Sequence, residues 1–410
     1  MKVKFLTLGC KVNQYETQAL KEDFSRLGHI ICDSDADMCI INTCSVTHRA
    51  DRKSFEAILS AKKRYPKAKI IVTGCLAQYD AAKIQELGVD YIVPQDKKSS
   101  LVGLISGDTS NNKDIWSLKI SSFPNQRAFL KIQDGCDFSC SFCKIPYIRG
   151  RSVSRKKEEV IEEFKRLAKF HKEIVLCGIN LALYGKDLAG SITLATLINE
   201  ILELGYQNRI RLSSLEPCLV TDELIRIFSH PKICPHIHLP FQSGDDTILK
   251  KMNKVETVSL YRALVDKLRK INPYIAISCD IIVGFPEEND FTFKNTVDFL
   301  KEIRPMRMHI FRFSPRNLTA FFDIKIKDQK IIYSRYNFLK KLAFDFSIEY
   351  KKSFLGKSLE MISEEQEGDY VTGYTQNYIK VWLQGKYPKG EIIPVKITLV
   401  SKDGKVFAST

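Results

Sequence analysis

Three cysteines, Cys136, Cys140 and Cys143, lie within one short segment about a third of the way along the chain. With 12 cysteines in 410 residues, chance would produce this spacing in only about 1% of such chains. Three thiolates in one loop can bind three irons of a [4Fe-4S] cluster and leave the fourth iron open to a substrate. A structural zinc site is the alternative, but zinc takes four ligands and no fourth Cys or His is near in sequence. These three cysteines are called the central triad below.

Three further cysteines, Cys10, Cys44 and Cys75, each follow directly on a short apolar run. The runs cover residues 3–8, 38–42 and 70–73. Helical stretches separate them, which predicts parallel strands whose carboxyl ends meet at one edge of a sheet. Cysteines at that edge would converge into a second three-thiolate site with an open iron, the N-terminal triad. Buried cysteines repeated by chance are the alternative.

The elements that position these cysteines divide an α/β chain into three regions. Residues 1–120 predict a parallel α/β domain, and residues 107–125 a polar linker. Residues 126–345 repeat a strand–helix unit six times, which predicts a partial (βα)6 barrel of the TIM type with its site at the carboxyl ends of the strands. Its predicted strands are residues 128–133, 173–177, 210–214, 236–242, 275–283 and 306–313. Residues 346–410 are rich in β-forming residues and turns, and predict a small antiparallel β-barrel.

Net charge and hydropathy limit the classes of protein to which this chain can belong. A net charge of +15, from 63 basic and 48 acidic residues, favours an acidic partner such as nucleic acid. Residues 144–157 and 304–316 contain no acidic residue. Such stretches suit phosphates and stacked bases, and two solvated basic faces are the alternative. No apolar run approaches the ~18 residues of a membrane span and the first residues show no signal peptide, so we expect a cytoplasmic protein with reduced thiols.

The spacing CxxxCxxC after the first barrel strand, with Phe142 ahead of the last cysteine, resembles that of radical S-adenosylmethionine enzymes. The segment FCKIPYIRGR at residues 142–151 narrows the resemblance to methylthiotransferases. The resemblance implies two catalytic [4Fe-4S] clusters, one on the central triad, where S-adenosylmethionine binds, and one on the N-terminal triad. It also implies an N-terminal cluster domain (1–120), a radical barrel (126–345) and an RNA-binding TRAM domain (346–410).

Two N-terminal segments resemble one branch of that family. LGCKVNQYET at residues 8–17 and NTCSVT at residues 42–47 are similar to the branch that acts on N6-threonylcarbamoyladenosine in tRNA. Lys11 and Val12 stand where the isopentenyladenosine branch has Gln-Met and the ribosomal-protein branch has Pro-Lys. The resemblance implies methylthiolation of C2 beside the anticodon, with S-adenosylmethionine as both radical source and methyl donor. The two other branches and a non-catalytic iron–sulfur protein, binding RNA or carrying electrons, are the alternatives.

Segments at the ends of the barrel strands resemble those around S-adenosylmethionine in this family. The implied cofactor-binding residues are Phe142, Gly178, Asn180, Ser213, Glu216, Gln242 and Asp280. Glu216 and Asp280 are alternatively structural carboxylates in caps or ion pairs. Two loops depart from the family pattern: GFPEEN at residues 284–289 stands where the family has GFPGET, and FSPRNLT at residues 313–319 stands where it has YSPRPGT.

The segment GYTQNYIKV at residues 373–381 resembles the TRAM signature. Tyr374, Tyr378 and Trp382 are expected to alternate with Lys380 along one strand, with their rings able to stack on bases. A buried aromatic core stripe is the alternative. The implied partner is the anticodon stem-loop of tRNA, beside a sulfur donor and an electron-donor protein that the sequence does not identify. We expect a monomer that does not associate with membranes.

Overall fold

The computed structural model describes residues 1–106, 114–324, 326 and 328–410. It begins with a five-stranded parallel sheet made of β1 Lys2–Thr7, β2 Ile30–Ile31, β3 Met38–Thr43, β4 Lys69–Gly74 and β5 Tyr91–Val93. Their spatial order is β2–β1–β3–β4–β5. Strands β1, β3 and β4 match the three apolar runs predicted above, and β2 escapes prediction because two residues show no alternation. Of the predicted linker, residues 107–113 lie outside the described residues.

Helices cover both faces of this sheet because its strands carry two alternating apolar sets. Ile40 packs in the cluster that includes Tyr15 and Phe24 of α1, whereas Ile41 packs in the cluster that includes Ile58 of α2. The helices are α1 Lys11–Arg26, α2 His48–Arg64, α3 Cys75–Tyr79, α4 Ala81–Glu86 and α5 Leu101–Ser106, with short 3-10 turns at Gln95–Ser100 and Ile115–Ser117. The covered sheet leaves the loops after its strands as the place for a site.

The middle region confirms the predicted (βα)6 arrangement. Its strands are β6 Arg127–Lys131, β7 Gln133–Asp134, β8 Val153–Ser154, β9 Glu173–Cys177, β10 Arg209–Leu212, β11 His236–Gln242, β12 Ala276–Val283 and β13 Arg307–Arg312. Six of them run parallel, as the sheets β6–β9–β10 and β11–β12–β13. A parallel bridge between Ser214 and His238 joins the two sheets. The first strand ends earlier than predicted, because Gln133 and Asp134 pair instead with β8.

Helices connect the six parallel strands. They are α6 Ile145–Arg149, α7 Lys157–Ala168, α8 Leu194–Glu203, α9 Asp222–Ile227, α10 Asp246–Lys251, α11 Val258–Ile271, α12 Asp290–Ile303 and α13 Gln329–Lys352, with 3-10 turns at Leu181–Leu183 and Pro217–Leu219. Polar side chains start several of them: Thr257 accepts a hydrogen bond from the backbone of Leu260 at the start of α11. Helix α13 continues past residue 345, so the expected boundary at 345/346 falls inside a helix.

The last region is a closed five-stranded barrel. Its strands are β14 Ser358–Glu367, β15 Tyr370–Thr375, β16 Lys380–Gln384, β17 Ile392–Val400 and β18 Val406–Ser409, in the spatial order β14–β15–β16–β18–β17. The barrel confirms the prediction of a small closed β-domain, but one pair, β16 with β18, is parallel. It encloses a core of its own that includes Met361, Val381 and Val395.

The N-terminal sheet and the middle barrel share one hydrophobic core. Val3 and Phe24 of the first belong to the same buried cluster as Leu130 and Phe164 of the second. Burial of this size fixes the two regions against each other, and with them the two cysteine triads. No helix among the described residues has both the length and the apolar composition needed to cross a membrane.

Candidate active site

The N-terminal triad lies at the carboxyl ends of three neighbouring strands. Cys10 follows β1, Cys44 follows β3 and Cys75 follows β4, and β3 pairs with both other strands. Burial and the nearby Cys75 and Cys10 thiols raise the pKa of Cys44 to about 12. The structure thus brings together three cysteines that are about thirty residues apart in sequence. Gly9 allows this approach, because a Cβ at that position would lie 2.9 Å from Sγ of Cys44.

The central triad lies in the loop that leaves β7. The backbone N–H of Cys136 donates to Gly150 O at 3.1 Å, and that of Cys143 donates to Cys140 O at 3.0 Å. Burial, with Cys136 adding to it, raises the pKa of the Cys143 thiol to about 11. The loop is also fixed from outside, since the backbone N–H of Ser141 donates to Met252 O at 3.0 Å. A cavity of about 220 Å³ is lined by this loop and by residues 318–320.

Sulfur spacing separates an iron–sulfur cluster from a single zinc ion. Two sulfurs bound to one zinc at about 2.3 Å can lie no more than about 4.6 Å apart. Within the part of the chain that the structure describes, neither triad has its three sulfurs within 4.8 Å of one another. Three thiols set wider than one ion allows fit a multi-iron cluster.

Gln133 links the central triad to the next strand of the barrel. Its amide nitrogen donates to the backbone oxygens of Asp134 and Gly135 at 2.7 and 2.8 Å, and its amide oxygen accepts from the backbone of Asn180 at 2.9 Å. Gly178 makes room for this side chain, because a Cβ there would lie 2.6 Å from the Gln133 amide oxygen. Sequence reasoning missed Gln133, because it belongs to no recognisable motif.

Asn180 lies beside the central triad, as expected for a residue near the cofactor. Its side-chain nitrogen is 3.8 Å from Sγ of Cys136, and its buried side-chain oxygen has no partner among the described residues. Phe142 packs in a small apolar cluster, with its ring 6.5 Å from that of Phe285. Ser213 is buried and its hydroxyl also lacks a partner in the described chain.

Glu216 and Gln242 differ in their surroundings. Glu216 accepts a hydrogen bond from Lys254, whose ammonium also lies 3.7 Å from Glu256. Burial raises the pKa of Glu216 to about 7, with Glu256 adding to the rise and Lys254 opposing it. Gln242 ends β11 with a left-handed backbone, φ 66°, beside a register shift in its pairing with β12. Lys254 is a residue near the central triad that sequence reasoning missed.

The acid-free stretch at residues 144–157 is a surface only in part, with Arg151 and Lys156 exposed. Lys144, Arg149 and Arg155 are buried, with 2%, 1% and 1% of their side chains exposed. They contact partners inside the protein, so they are neither a nucleic-acid surface nor a solvated face. Local charge counts could not reveal this, since most of the partners come from the N-terminal region. Arg155, for example, donates to Glu163 at 2.8 Å and to the hydroxyl of Tyr15 at 3.3 Å.

Lys144 connects the two triads. It follows Cys143 directly, and its ammonium donates to the hydroxyl of Ser45, the residue after Cys44, at 2.6 Å. The ammonium also lies 3.2 Å from the centre of the Tyr79 ring. Burial and the nearby Arg316 guanidinium lower the pKa of Lys144 to about 7. A single side chain therefore spans the space between the two cysteine sites.

The two loops that depart from the family sequence have left-handed backbone at the positions where the family sequence has glycine. Glu287 has φ 71° and Leu318 has φ 68°. Arg316 of the second loop donates to Ser45 O at 3.0 Å and pairs with Asp51 at 2.6 Å, so the loop is held against the N-terminal region. Both positions therefore hold a side chain in a backbone conformation that favours glycine.

The aromatic residues of the last region do not lie on one strand, contrary to expectation. Tyr374 is in β15, Trp382 is in β16, and Tyr378 is in the turn between them. The Tyr378 ring lies 5.1 Å from that of Tyr374 and 4.7 Å from that of His236, and Arg211 lies 4.7 Å from its centre. Tyr378 thus packs against the amino-terminal ends of the barrel strands. Trp382 instead has two ammonium groups near its ring, those of Lys380 at 4.9 Å and Lys405 at 5.8 Å.

Comparison with known proteins agrees with this arrangement. Residues 2–93 match the family described as "Uncharacterized protein family UPF0004", and residues 130–300 match the radical SAM superfamily. The chain is 36% identical to the threonylcarbamoyladenosine tRNA methylthiotransferase MtaB of Thermotoga maritima, over 98% of this chain and 96% of that protein. This chain belongs to the MtaB-like family of radical S-adenosylmethionine methylthiotransferases. It is therefore an enzyme of that kind, for which the family implies a [4Fe-4S] cluster and S-adenosylmethionine.

Other relatives are similar to this chain over nearly its whole length. The MtaB of Bacillus subtilis is 36% identical over 96% of this chain and 93% of its own, and a tRNA-2-methylthio-N(6)-dimethylallyladenosine synthase of Endomicrobium trichonymphae is 32% identical over 98% and 97%. Among solved structures, the radical S-adenosylmethionine methyltransferase TsrM of Kitasatospora setae aligns with a TM-score of 0.58 at 14% identity, over 76% of this chain and 74% of that one. At this identity, the likeness supports only the fold of this methylthiotransferase.

Proposed function

We propose that this methylthiotransferase converts N6-threonylcarbamoyladenosine beside the anticodon of tRNA to its 2-methylthio derivative, with S-adenosylmethionine as radical source and methyl donor. The observation that carries the proposal is the near-full-length identity of 36% to proteins named for that substrate. Lys11 and Val12, directly after the first cysteine, agree with it. The dimethylallyladenosine synthases are the second candidate, at 32% identity or below.

The two triads are proposed to hold two [4Fe-4S] clusters, one each. With the clusters and S-adenosylmethionine bound, the central site supplies a 5′-deoxyadenosyl radical and the N-terminal site presents sulfur for methylation. The chain itself sets the relative position of the two sites, through the shared core and the Lys144 contact to Ser45. Burial raises the pKa of the Cys10 thiol, and the buried charge of Arg149 opposes that rise.

S-adenosylmethionine is proposed to lie beside the central triad, against residues that have hydrogen-bonding capacity to spare. Asn180 and Ser213 each have a buried oxygen without a partner among the described residues. Glu216 adds a carboxylate near Cys136, and Phe142 adds apolar surface. Gln242 is the last residue of strand β11. Gly178 contributes indirectly, because it makes room for Gln133.

The division into domains at 1–120, 126–345 and 346–410 is part of the proposal. The anticodon stem-loop is proposed to approach the open side of the middle barrel. Arg307 and Arg312 are exposed on the edge strand β13, and Trp382 with its two lysines offers a ring and charges for stacking and phosphate contact. A tRNA substrate agrees with a cytoplasmic location. A monomer, and separate proteins that donate sulfur and electrons, complete the proposal.

Two triple variants test this function. The reconstituted enzyme should bind about eight irons, because two cysteine triads are present. Replacing Cys136, Cys140 and Cys143 by Ala should leave about four irons and abolish cleavage of S-adenosylmethionine, because the cluster that cleaves it has no other ligands. Retained cleavage would show that the central triad is not the radical site.

The second variant replaces Cys10, Cys44 and Cys75 by Ala. It should also keep about four irons and should still form 5′-deoxyadenosine, yet place no methylthio group on threonylcarbamoyladenosine in tRNA. Mass spectrometry of tRNA nucleosides, with iron and 5′-deoxyadenosine measured on the same preparation, decides the matter. Normal methylthiolation by this variant would contradict the two-cluster proposal, and methylthiolation of isopentenyladenosine by the wild type would favour the second candidate.

A further inference from the structure

His238, Asp280 and His309 lie on three adjacent parallel strands, away from both cysteine triads in sequence. Strand register places Asp280 directly beside His309 on the next strand. Nδ1 of His309 is 3.1 Å from one oxygen of the Asp280 carboxylate, and Nε2 of His238 is 3.3 Å from the other. One ligand atom from each residue lies within 4.8 Å of those of the other two. Two imidazole nitrogens and a carboxylate oxygen thus point to a common volume.

The remaining nitrogen of His238 has a partner of its own. Nδ1 of His238 lies 2.9 Å from the hydroxyl of Ser278, and Nε2 of His236 lies 3.0 Å from the same hydroxyl. A histidine that binds a metal through one nitrogen commonly hydrogen-bonds through the other, and this contact fixes its tautomer and ring orientation. Ser278 therefore holds His238 with Nε2 directed at the Asp280 carboxylate.

The three side chains can be reached from solvent. Their exposed fractions are 12% for His238, 23% for Asp280 and 42% for His309. A cation can therefore enter from the side of the edge strand β13.

We propose that His238, Asp280 and His309 form a mononuclear site for a first-row divalent metal ion, separate from the two iron–sulfur clusters. Two histidines and one carboxylate are a set that suits zinc or ferrous iron and leaves coordination positions open. On binding, the ion takes the place of the protons on Nε2 of His238 and Nδ1 of His309, and each imidazole stays neutral because its proton moves to the other ring nitrogen, which in His238 then donates to the Ser278 hydroxyl. Water or another oxygen ligand fills the open positions. This assigns Asp280 to a metal rather than to S-adenosylmethionine.

Zinc binding to the reconstituted enzyme tests the site without reference to the tRNA substrate. The holoenzyme is freed of loose metal with a chelator and dialysed against a series of ZnCl2 concentrations, and zinc and iron are measured on the same samples. The wild type should take up about one zinc per chain while its iron content stays constant, since three ligands of the right type are present. No zinc uptake at constant iron would overturn the proposal.

Variants identify the ligands. Asp280→Asn and His309→Ala should each lose the zinc with iron unchanged, and Ser278→Ala should weaken zinc binding by about 10-fold or more because His238 is then no longer oriented. His309 lies on an edge strand and is partly exposed, so its replacement should leave the fold intact. His230→Ala, a histidine outside this group, is the matched control and should bind as the wild type does. Equal zinc affinity in Asp280→Asn, His309→Ala and the control would show that these residues are only hydrogen-bonded to one another.

Discussion

Arg149 donates to both carboxylate oxygens of Glu16, at 3.0 and 3.3 Å, although the two residues lie 133 positions apart. Each side chain is 1% exposed. Lys98 and Lys131 donate to the same carboxylate at 2.6 and 2.8 Å, and Arg149 also contacts Asp134 at 2.9 Å. Glu16 follows the first cysteine of the N-terminal triad and Arg149 follows the last of the central triad. The pair therefore joins the two cysteine sites through buried charges.

Glu16→Ala should destabilise the protein by roughly 3–5 kcal/mol, because it leaves several buried positive charges short of a partner. The free energy of unfolding in urea is the measurement. Glu302→Ala is a matched control, since Glu302 pairs with Arg262 at 2.8 Å but is 52% exposed. An exposed pair contributes little, so the control should unfold near the wild-type midpoint. Equal effects of the two variants would mean that the Glu16 network has no special role in joining the regions.

Stability should also fall in acid through the same network. Burial opposes it, but Arg149, Lys131 and Lys98 lower the pKa of Glu16 well below its usual range, and Arg149 and Lys131 lower that of Asp134. A carboxyl group with a lower pKa in the folded state stabilises the protein above its unfolded pKa of about 4 and loses that contribution as the pH falls further. Unfolding midpoints measured from pH 7 down to about pH 3 should therefore decline. Glu16→Gln, which cannot titrate, should decline less steeply, and a slope equal to that of the wild type would contradict this.

Left-handed backbone at Leu318 and Glu287 predicts substitutions that stabilise the protein, in contrast to the variants above. Leu318→Gly and Glu287→Gly should each raise stability by about 0.5–1 kcal/mol, because a side chain in that conformation costs roughly 1–2 kcal/mol and glycine loses part of the gain to unfolded-state entropy. Thermal unfolding of each variant is the measurement. Leu399→Gly is the control: Leu399 is similarly exposed but lies within β17, where glycine should destabilise. Loss of stability in all three would show that neither loop is strained.

The sequence permitted a prediction of most of the fold, because strand and helix periods and the cysteine spacings are local signals. Strands β9 and β11 match their predicted bounds to the residue. Contacts between distant side chains could not be predicted in this way. The pairing of Glu16 with Arg149 and that of Glu216 with Lys254 depend on how the chain packs, and no local pattern marks either residue as a partner.

The acid-free stretches at residues 144–157 and 304–316 show the same limit of sequence-based prediction. Both lack acidic residues, yet the chain buries much of the first and leaves Arg307 and Arg312 of the second exposed. Arg304 pairs with Glu349 and Arg316 pairs with Asp51, so the charge of each arginine is already balanced by a carboxylate of this chain. Which arginines remain for an acidic partner follows only from the folded arrangement.

Exposed charge on β13 should contribute to tRNA binding. Arg307→Glu and Arg312→Glu should weaken binding, and each should reduce the slope of log affinity against log salt by about 0.7–0.9 for every phosphate that the variant no longer neutralises. Affinity measured at several salt concentrations with unmodified tRNA is the readout. Lys267→Glu is the matched control, because it reverses a charge on α11 that already pairs with Asp222 at 2.7 Å. The control should keep the wild-type slope. If both arginine variants keep it too, β13 does not contact the phosphates, and the lysines around Trp382 become the next surface to reverse.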